Sequence, residues 1–343
     1  MEVQAGRESL ASARALLDPY LREAVERIPR SVQPIAGYHL GWLDEHGHVV
    51  NAHPGKAIRP ALAFLAAEAV GGVAEAALPA AAAIELVHNF SLMHDDVIDN
   101  DDTRRHRLTA WRVFGVGPAL LAGNALLALA YDVLAADGGP AAAAPAADML
   151  NAAVLAVVDG QARDLAFERR TDVSLAECMA MVQQKTAFLM GCACALGALF
   201  GGGDQSQIDE LRSFGKHLGF AFQLVDDLLG VWGDPAVTGK PAGSDLQSRK
   251  KSLPVVAALT SGTAAGHELA ALYAHSRPLV EADLVAAAEW IDGAGARLWA
   301  EAQIEVLVSR ALHDLESARL CPPAGDQLRS VARLISRQDR RSG

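Results

Sequence analysis

Cysteine is scarce, with four residues in a chain of 343: Cys178, Cys192, Cys194 and Cys321. That is no disulfide framework, and a reducing, cytoplasmic setting is the expectation. Two residues apart on a helix, Cys192 and Cys194 point away from each other and read as small core residues rather than metal ligands. Aromatic residues make up only 5%. Sustained alternation of Val, Ile, Thr and Tyr is lacking, so extended sheets are not expected. Positive charge is in deficit, with 30 Lys and Arg against 41 Asp and Glu and a net charge of −11. A generic nucleic-acid binder wants a basic face, so nucleic acid is excluded as a partner. There is no Gly-x-x-x-x-Gly-Lys-Ser/Thr loop and no Gly-x-Gly-x-x-Gly following a strand, so nucleotides fit poorly. The first twenty residues lack the apolar centre of a signal peptide.

What is present is apolar and helical. Hydrophobic residues reach 51%, enough to bury a large core. Ala and Leu dominate, and apolar positions recur at three and four, which predicts an all-α fold. The expected helices cover roughly residues 8–29, 33–44, 56–70, 78–100, 107–112, 117–137, 141–168, 174–200, 205–232, 251–261, 266–275, 281–293, 295–318 and 325–337. Glycine and proline clusters separate them, as at Gly71-Gly72, Gly201-Gly202-Gly203 and Cys321-Pro322-Pro323. Two uncharged runs, 113–131 and 186–203, approach the length of a membrane span. The glycines of both runs, and the lack of aromatic belts, favour helices buried in a large α domain over stable membrane insertion. No linker or repeat interrupts the chain. A single domain over 1–343 is expected, with flexible ends at about 1–7 and 338–343.

The chemistry concentrates in HNFSLMHDDVIDNDDTRRHR. Asp95 and Asp99 are four apart, one helical turn above each other. Asp96 lies 100° round the same helix. Crowded carboxylates repel, and Mg²⁺ bridging them to a polyanion removes that cost. Leu86, Val87, Phe90, Leu92, Met93, Val97 and Ile98 make the segment too apolar for a solvated acidic helix end. A second acidic pair, Asp226 and Asp227, sits on another apolar helix. Two such clusters facing each other would hold several metals against one diphosphate. Cations accompany them: Lys56 and Arg59, Arg104 and Arg105, Lys185 inside a long apolar run, and Lys240, Lys250 and Lys251. Arg offers a fork for phosphate oxygens and Lys a point charge. Together these residues describe a cavity for a diphosphate head with a hydrocarbon tail.

In this order the motifs resemble those of the trans-isoprenyl diphosphate synthases, the polyprenyl synthetase family. The resemblance runs from about residue 50 to 260. Pro54-Gly55-Lys56-Ala57-Ile58-Arg59-Pro60 is similar to the family's GGKRLRP segment, and HDDVIDNDDTRR to its first aspartate-rich motif. Gly160-Gln161 with Asp164, Lys185-Thr186, Phe222-Gln223-Leu224-Val225-Asp226-Asp227 and TGKPAGSDLQSRKKSLPV follow. The resemblance implies the isoprenoid synthase fold, antiparallel helices around a deep central cavity, as a homodimer. It implies chain elongation, isopentenyl diphosphate condensing with an allylic diphosphate. Lys56, Arg59, His88 and Arg105 would hold isopentenyl diphosphate. Arg104, Lys185, Thr186, Gln223, Lys240 and Lys250 would surround the allylic diphosphate. Of these, Arg104, Lys185, Thr186 and Gln223 would act in catalysis. Asp95, Asp96, Asp99, Asp226 and Asp227 would bind Mg²⁺, three ions per active site, partly through water.

Three positions depart from the pattern. Gly230 stands where the second motif usually has a third Asp, so that either one metal is held more loosely or Asp234 helps. Ala57 replaces the usual Arg, and Asn124 stands where Asp is common. In the family, the positions four and five before the first motif govern product length. Here they are the small Ser91 and the bulky Phe90, a mixed pair implying a C15–C20 all-trans product with C20 slightly preferred. The damaged second motif leaves room for a class I terpene cyclase on the same fold, but a cyclase has no use for Lys56, Arg59, His88 and Arg105. A partner subunit of a heteromeric synthase would be expected to have lost the first aspartate motif, which is intact here.

Overall fold

The structure, a computed structural model, describes residues 2–50, 52, 55–234, 243–275 and 277–337. It is all-α, as the apolar periodicity predicts. The helices are α1 (Glu2–Val25), α2 (Gln33–His39), α3 (Ile58–Ala69), α4 (Leu78–Ile98), α5 (Ala110–Phe114), α6 (Val116–Asp137), α7 (Gly139–Glu168), α8 (Leu175–Val182), α9 (Phe188–Phe200), α10 (Gln205–Trp232), α11 (Ser244–Gln247), α12 (Leu253–Leu259), α13 (Ala264–Ala274), α14 (Glu281–Gly293), α15 (Ala296–Ser317) and α16 (Ala324–Arg337). Helix α1 begins within the segment read from the sequence as a flexible end, while residues 338–343 lie outside those described.

Three local features escaped the periodicity. The predicted helix over 107–112 is instead the second strand of a small antiparallel hairpin followed by α5. Its strands, β1 (Thr103–Arg104) and β2 (Arg107–Leu108), pair Thr103 with Leu108 and Arg104 with Arg107. Between α8 and α9, Gln183–Ala187 winds as a π-helix. The short helix α11 was not anticipated.

The chain forms two compact units. One comprises residues 1–155, 189–215 and 314–331; the other comprises 156–188, 216–313 and 332–343. In the first unit, α4 packs along α3 and α6. Ala80, Ala81, Ala82, Ala83, Ile84, Leu86 and Val87 are all fully buried, so most of the first half of α4 is enclosed. Only its last turns, from His94 to Ile98, carry partly exposed residues on every side but that of Asp96. Burying each Leu or Ile side chain contributes about 1.5–3 kcal/mol, so α4 is firmly anchored where it ends. Cys192 and Cys194 are buried, as the sequence implied, and burial pushes the Cys192 thiol up to about 12.

In the second unit, Ser174 caps α8. Its Oγ accepts from the Glu177 backbone N–H at 3.3 Å, and the Glu177 carboxylate accepts from the Ser174 N–H at 3.0 Å. This capping box fixes where α8 starts. A core of Phe167, Met181, Val182, Leu224, Val225, Leu228, Leu253 and Val256 surrounds it, with Ile304 and Leu307.

Candidate active site

In the first unit the acidic residues at the end of α4 divide. Asp95 is half-buried and Asp99 exposed, whereas Asp96 is 1% exposed. Asp96 accepts a hydrogen bond from Arg104 Nε at 2.6 Å, an ion pair in which Arg104 keeps 25% of its side-chain exposure. Burial raises the Asp96 carboxyl above its ordinary range, and Arg104 offsets part of that rise. The other oxygen, Asp96 Oδ2, is buried and finds no hydrogen-bond partner among the described residues.

Arg104 reaches Asp96 because the hairpin turns the chain back on itself. The two turn residues, Arg105 and His106, have φ of 51° and 62°. Such a turn normally uses Asn and Gly, and for other residues the left-handed region costs about 1–2 kcal/mol each. The surroundings hold it in place. Arg107 donates to the carbonyls of Tyr38 at 3.2 Å and Leu43 at 2.8 Å, and its guanidinium stacks 4.1 Å from the Tyr38 ring centroid. Tyr38 donates its hydroxyl to the Leu108 carbonyl at 2.8 Å, and Trp111 Nε1 donates to the Asp101 carbonyl at 2.9 Å. The Arg105 guanidinium lies against Gly55.

Arg59 Nη1 stands 3.4 Å from His88 Nε2. Burial holds the His88 imidazole far below its ordinary pKa, and the charges of Arg59, Arg105 and Arg104 add to this. His88 is therefore neutral at pH 7 and accepts from Arg59. Lys56 is exposed just ahead of α3. The structure thus brings Arg59, His88, Arg104, Arg105 and Asp96 into one region of the first unit.

His39 joins them, a residue that no motif flagged. It ends α2, its Nε2 is buried without a partner among the described residues, and burial followed by the charges of Arg105 and Arg104 pushes its pKa down to about 3. A small pocket open to solvent is lined by Tyr38, His39, Asp96, Arg104, Arg105 and Arg107.

Phe90 and Ser91 occupy different surroundings on α4. Phe90 is 8% exposed and meets His94 edge to face, with ring centroids 4.6 Å apart. His94 Nε2 lies 3.2 Å from the Leu120 carbonyl of α6. Ser91 turns its hydroxyl back onto the His88 carbonyl at 2.8 Å.

In the second unit, the π-helical turn carries Lys185 and Thr186. An extra residue in a helix re-aims the side chains around it, and such turns gather at functional sites. Lys185 Nζ donates to Asp164 at 2.6 Å, with side-chain exposures of 22% and 16%. The close packing depends on Gly160. A Cβ there would stand 2.6 Å from Lys185 Cα, so only glycine lets α7 lie against this turn.

From Thr186 a chain of hydrogen bonds runs inward. Thr186 Oγ1 donates to Gln223 Oε1 at 2.8 Å, and Gln223 Nε2 donates to Asp227 Oδ1 at 2.8 Å. Asp227 Oδ2 accepts from the Leu253 N–H at 3.0 Å. Both Asp227 oxygens are thus engaged, and the residue is 2% exposed. Burial pushes its carboxyl up to about 7, against the pull of Lys250. Asp226 is exposed. Burial works against the charge of Lys250, but the carboxylates of Asp245, Asp227, Asp164 and Asp226 outweigh it and raise its pKa. Lys240 lies outside the described residues.

Among the described residues no three His, Cys, Asp or Glu side chains converge as a ready-made metal cage. The donors on offer are hard carboxylate oxygens. They fit Mg²⁺, which takes one or two carboxylates and completes its shell with water and phosphate oxygens.

Residues 41–290 match the polyprenyl synthetase family. The chain is 47% identical over 306 residues to a (2E,6E)-farnesyl diphosphate synthase of Mycobacterium tuberculosis, covering 88% of this chain and 85% of the relative. It is 42% identical over 334 residues to a geranylgeranyl diphosphate synthase of the same organism, covering 97% and 94%. A crystal structure of a polyprenyl synthetase from Streptomyces coelicolor A3(2) superposes with a TM-score of 0.92 at 43% identity, over 96% of this chain and 98% of that one. One of geranylgeranyl pyrophosphate synthase from Corynebacterium glutamicum, complexed with isoprenyl diphosphate and magnesium, gives 0.83 at 30% identity, over 97% and 99%. The ordered motifs, the helical architecture and these relatives agree: the chain belongs to the polyprenyl synthetase family and is a trans-prenyltransferase that elongates an allylic diphosphate with isopentenyl diphosphate.

Proposed function

We propose that this enzyme makes a C15–C20 all-trans prenyl diphosphate with Mg²⁺ as its metal, and that its acidic residues divide between metal binding and scaffolding. The observation that carries the reading is the split within each Asp-Asp pair. Asp96 and Asp227 are buried, whereas Asp95 is half-buried and Asp99 and Asp226 are exposed. Asp95, Asp99 and Asp226 are the residues we assign to Mg²⁺, three ions being the family's number. When bound, the metal neutralises the diphosphate leaving group, so that the allylic C–O bond ionises.

The chain's own residues do the rest. Arg59, Arg105 and Lys56 bind the isopentenyl diphosphate, with neutral His88 fixing the Arg59 fork. Arg104 is pre-aimed by Asp96, and Lys185 by Asp164. Lys250 and, by resemblance, Lys240 complete the cationic set for the allylic diphosphate. Thr186 and Gln223, locked in one hydrogen-bonded chain, offer fixed dipoles to the developing carbocation. The isopentenyl double bond attacks, and the departing diphosphate takes the proton. Exclusion of water prevents quenching to an alcohol.

Phe90 supports the short product, since a bulky buried side chain beside His94 limits the room for a longer one. The test is incubation of isopentenyl diphosphate with dimethylallyl, geranyl and farnesyl diphosphates, with and without EDTA, then chromatography of the dephosphorylated products. We expect C15 or C20 alcohols that vanish with EDTA, and longer ones from Phe90→Ala. A cyclic hydrocarbon from a preformed diphosphate would point to the cyclase instead.

We further propose a cytoplasmic homodimer acting as one functional domain. Four free thiols suit a reducing compartment. Among the described residues three helices are long and apolar enough to cross a membrane, and α6 exposes Val116 and Leu121 while α7 exposes Leu155. A second copy of the chain covering these apolar side chains accounts for them without a bilayer. Sizing chromatography that gave a monomer, or flotation with liposomes, would refute this.

A further inference from the structure

Arg14 lies on α1, in a part of the sequence that no motif covers. It reaches the loop ahead of α3, where its Nη2 donates to the Gly55 carbonyl. Gly55 meets a second guanidinium as well. A Cβ built on it would stand 2.8 Å from Arg105 Nη2, and its φ of 96° is one that side-chain-bearing residues rarely adopt. One glycine is thus held by two arginines, which repel unless a carboxylate serves both. Glu85 does so. Burial lowers the pKa of Arg14 and of Arg105, and in each the charge of Glu85 is the strongest influence the other way. Glu85 is half-buried on α4, one turn before His88, and its Oε1 accepts from Asn89 Nδ2 at 3.1 Å. The helix that carries Arg14 is itself fixed: Leu17 and Leu21 are each 4% exposed, and Asp18, one turn on, accepts from Trp42 Nε1 at 3.1 Å.

We propose that Arg14 is a positioning residue for isopentenyl diphosphate: by clamping the Gly55 carbonyl it fixes the backbone against which Arg105 rests and from which Lys56 departs. Arg14 acts through those two residues and not on the substrate. Glu85 is the shared counter-charge that lets both arginines crowd one glycine. The effect is one-sided. Arg104, which serves the allylic diphosphate, is pinned separately by Asp96, so loss of Arg14 falls on the isopentenyl substrate. The assignment rests on the prenyltransferase reading, which makes Lys56, Arg59 and Arg105 the ligands of that substrate.

The test uses the full-length protein with Arg14→Ala and Arg14→Lys. Calorimetry measures the binding of isopentenyl diphosphate alone, and steady-state assays give kcat and a separate KM for each substrate. Arg14→Ala should weaken isopentenyl diphosphate binding and raise its KM about tenfold, the worth of one charge-assisted hydrogen bond. The KM for the allylic diphosphate should stay within twofold of the parent. Arg14→Lys keeps a cationic donor for the carbonyl and should return binding to within threefold. A mere tether of α1 would lower the melting temperature without this split between substrates. Isopentenyl diphosphate binding by Arg14→Ala within threefold of the parent overturns the proposal, as does an equal rise in both KM values or a lysine variant no better than alanine. A parent that bound isopentenyl diphosphate but formed no prenyl product would sink the functional reading, and the calorimetric comparison would still decide the role of Arg14.

Discussion

Replacing Asp96 with alanine should cost stability as well as activity, whereas the same change at Asp95 should cost activity alone. Asp96 is 1% exposed, and its carboxylate pairs with the Arg104 guanidinium, 25% exposed, at 2.6 Å. Removing one member of a buried pair costs roughly 3–5 kcal/mol, because the other charge is stranded. Arg104 retains some contact with water, so we discount this to about 2–3 kcal/mol. At about 2.1 cal/mol/K per residue the 343 residues give an unfolding entropy of about 0.7 kcal/mol/K, so 1 kcal/mol moves the melting temperature by about 1.4 °C and Asp96→Ala should lower it by about 3–4 °C. Asp95 is half-buried at the helix end, and its replacement should stay within about 1 kcal/mol.

The assay is thermal unfolding followed by circular dichroism, with turnover measured on the same preparations. A double-mutant cycle sharpens it. If the pair acts as a unit, Asp96→Ala and Arg104→Ala combined should cost at least about 1 kcal/mol less than the sum of the two singles. Equal melting temperatures for Asp95→Ala and Asp96→Ala would refute the argument that the buried carboxylate is a scaffold for the arginine. So would strict additivity in the cycle.

Two further outcomes follow from the packing. Gly160→Ala puts a methyl group into the Lys185 backbone, 2.6 Å from its Cα, so the π-helical turn must shift; a displacement near 1 Å can cost about 10²-fold in rate, and unchanged kcat would show that the close contact has no catalytic consequence. His39 has its pKa lowered from 6.5 to about 3 by burial. Between those values the unfolded chain binds a proton that the folded one does not, so stability is lost as pH falls from 6.5, by about 1.4 kcal/mol per unit. His39→Gln should flatten that acid limb in urea titrations, and an unaltered slope would mean that another group dominates it.

How much of this was legible before folding depends on the kind of signal. Long helices were, because α4, α6 and α10 carry their apolar periodicity over several turns. The acid clusters were too, since HDDVIDNDD and the Gln223–Asp227 segment are dense and ordered. The hairpin was not: two-residue strands have no periodicity, and its turn uses Arg105 and His106 where a reader looks for Asn and Gly. Nor was the π-helical turn, since Gln183–Ala187 has the composition of ordinary helix. His39 belongs to no motif and acquires meaning only when α2 ends beside Arg104 and Arg105.

The most consequential detail hidden in the sequence is which aspartate of each adjacent pair turns inward. Successive helical residues diverge by 100°, so one member must leave the face of the other. The two buried carboxylates are then satisfied differently, Asp96 by a cation and Asp227 by the neutral donors Gln223 Nε2 and the Leu253 N–H. Burial dominates at Asp227, and its carboxyl is pushed from 3.8 up to about 7 against the pull of Lys250. Its contribution to stability is therefore fully present below pH 3.8, where both states are protonated, and is lost as pH rises toward 7, because the unfolded chain releases a proton that the folded one retains. Over that window the loss amounts to about 4 kcal/mol. Asp227→Asn has no such proton to lose. Measured by urea unfolding without divalent ions, the parent should lose stability relative to Asp227→Asn by most of that amount between pH 4.5 and 7.5. Parallel pH profiles for the two proteins would mean that the buried carboxylate stays ionised throughout, held by its hydrogen bonds and by Lys250.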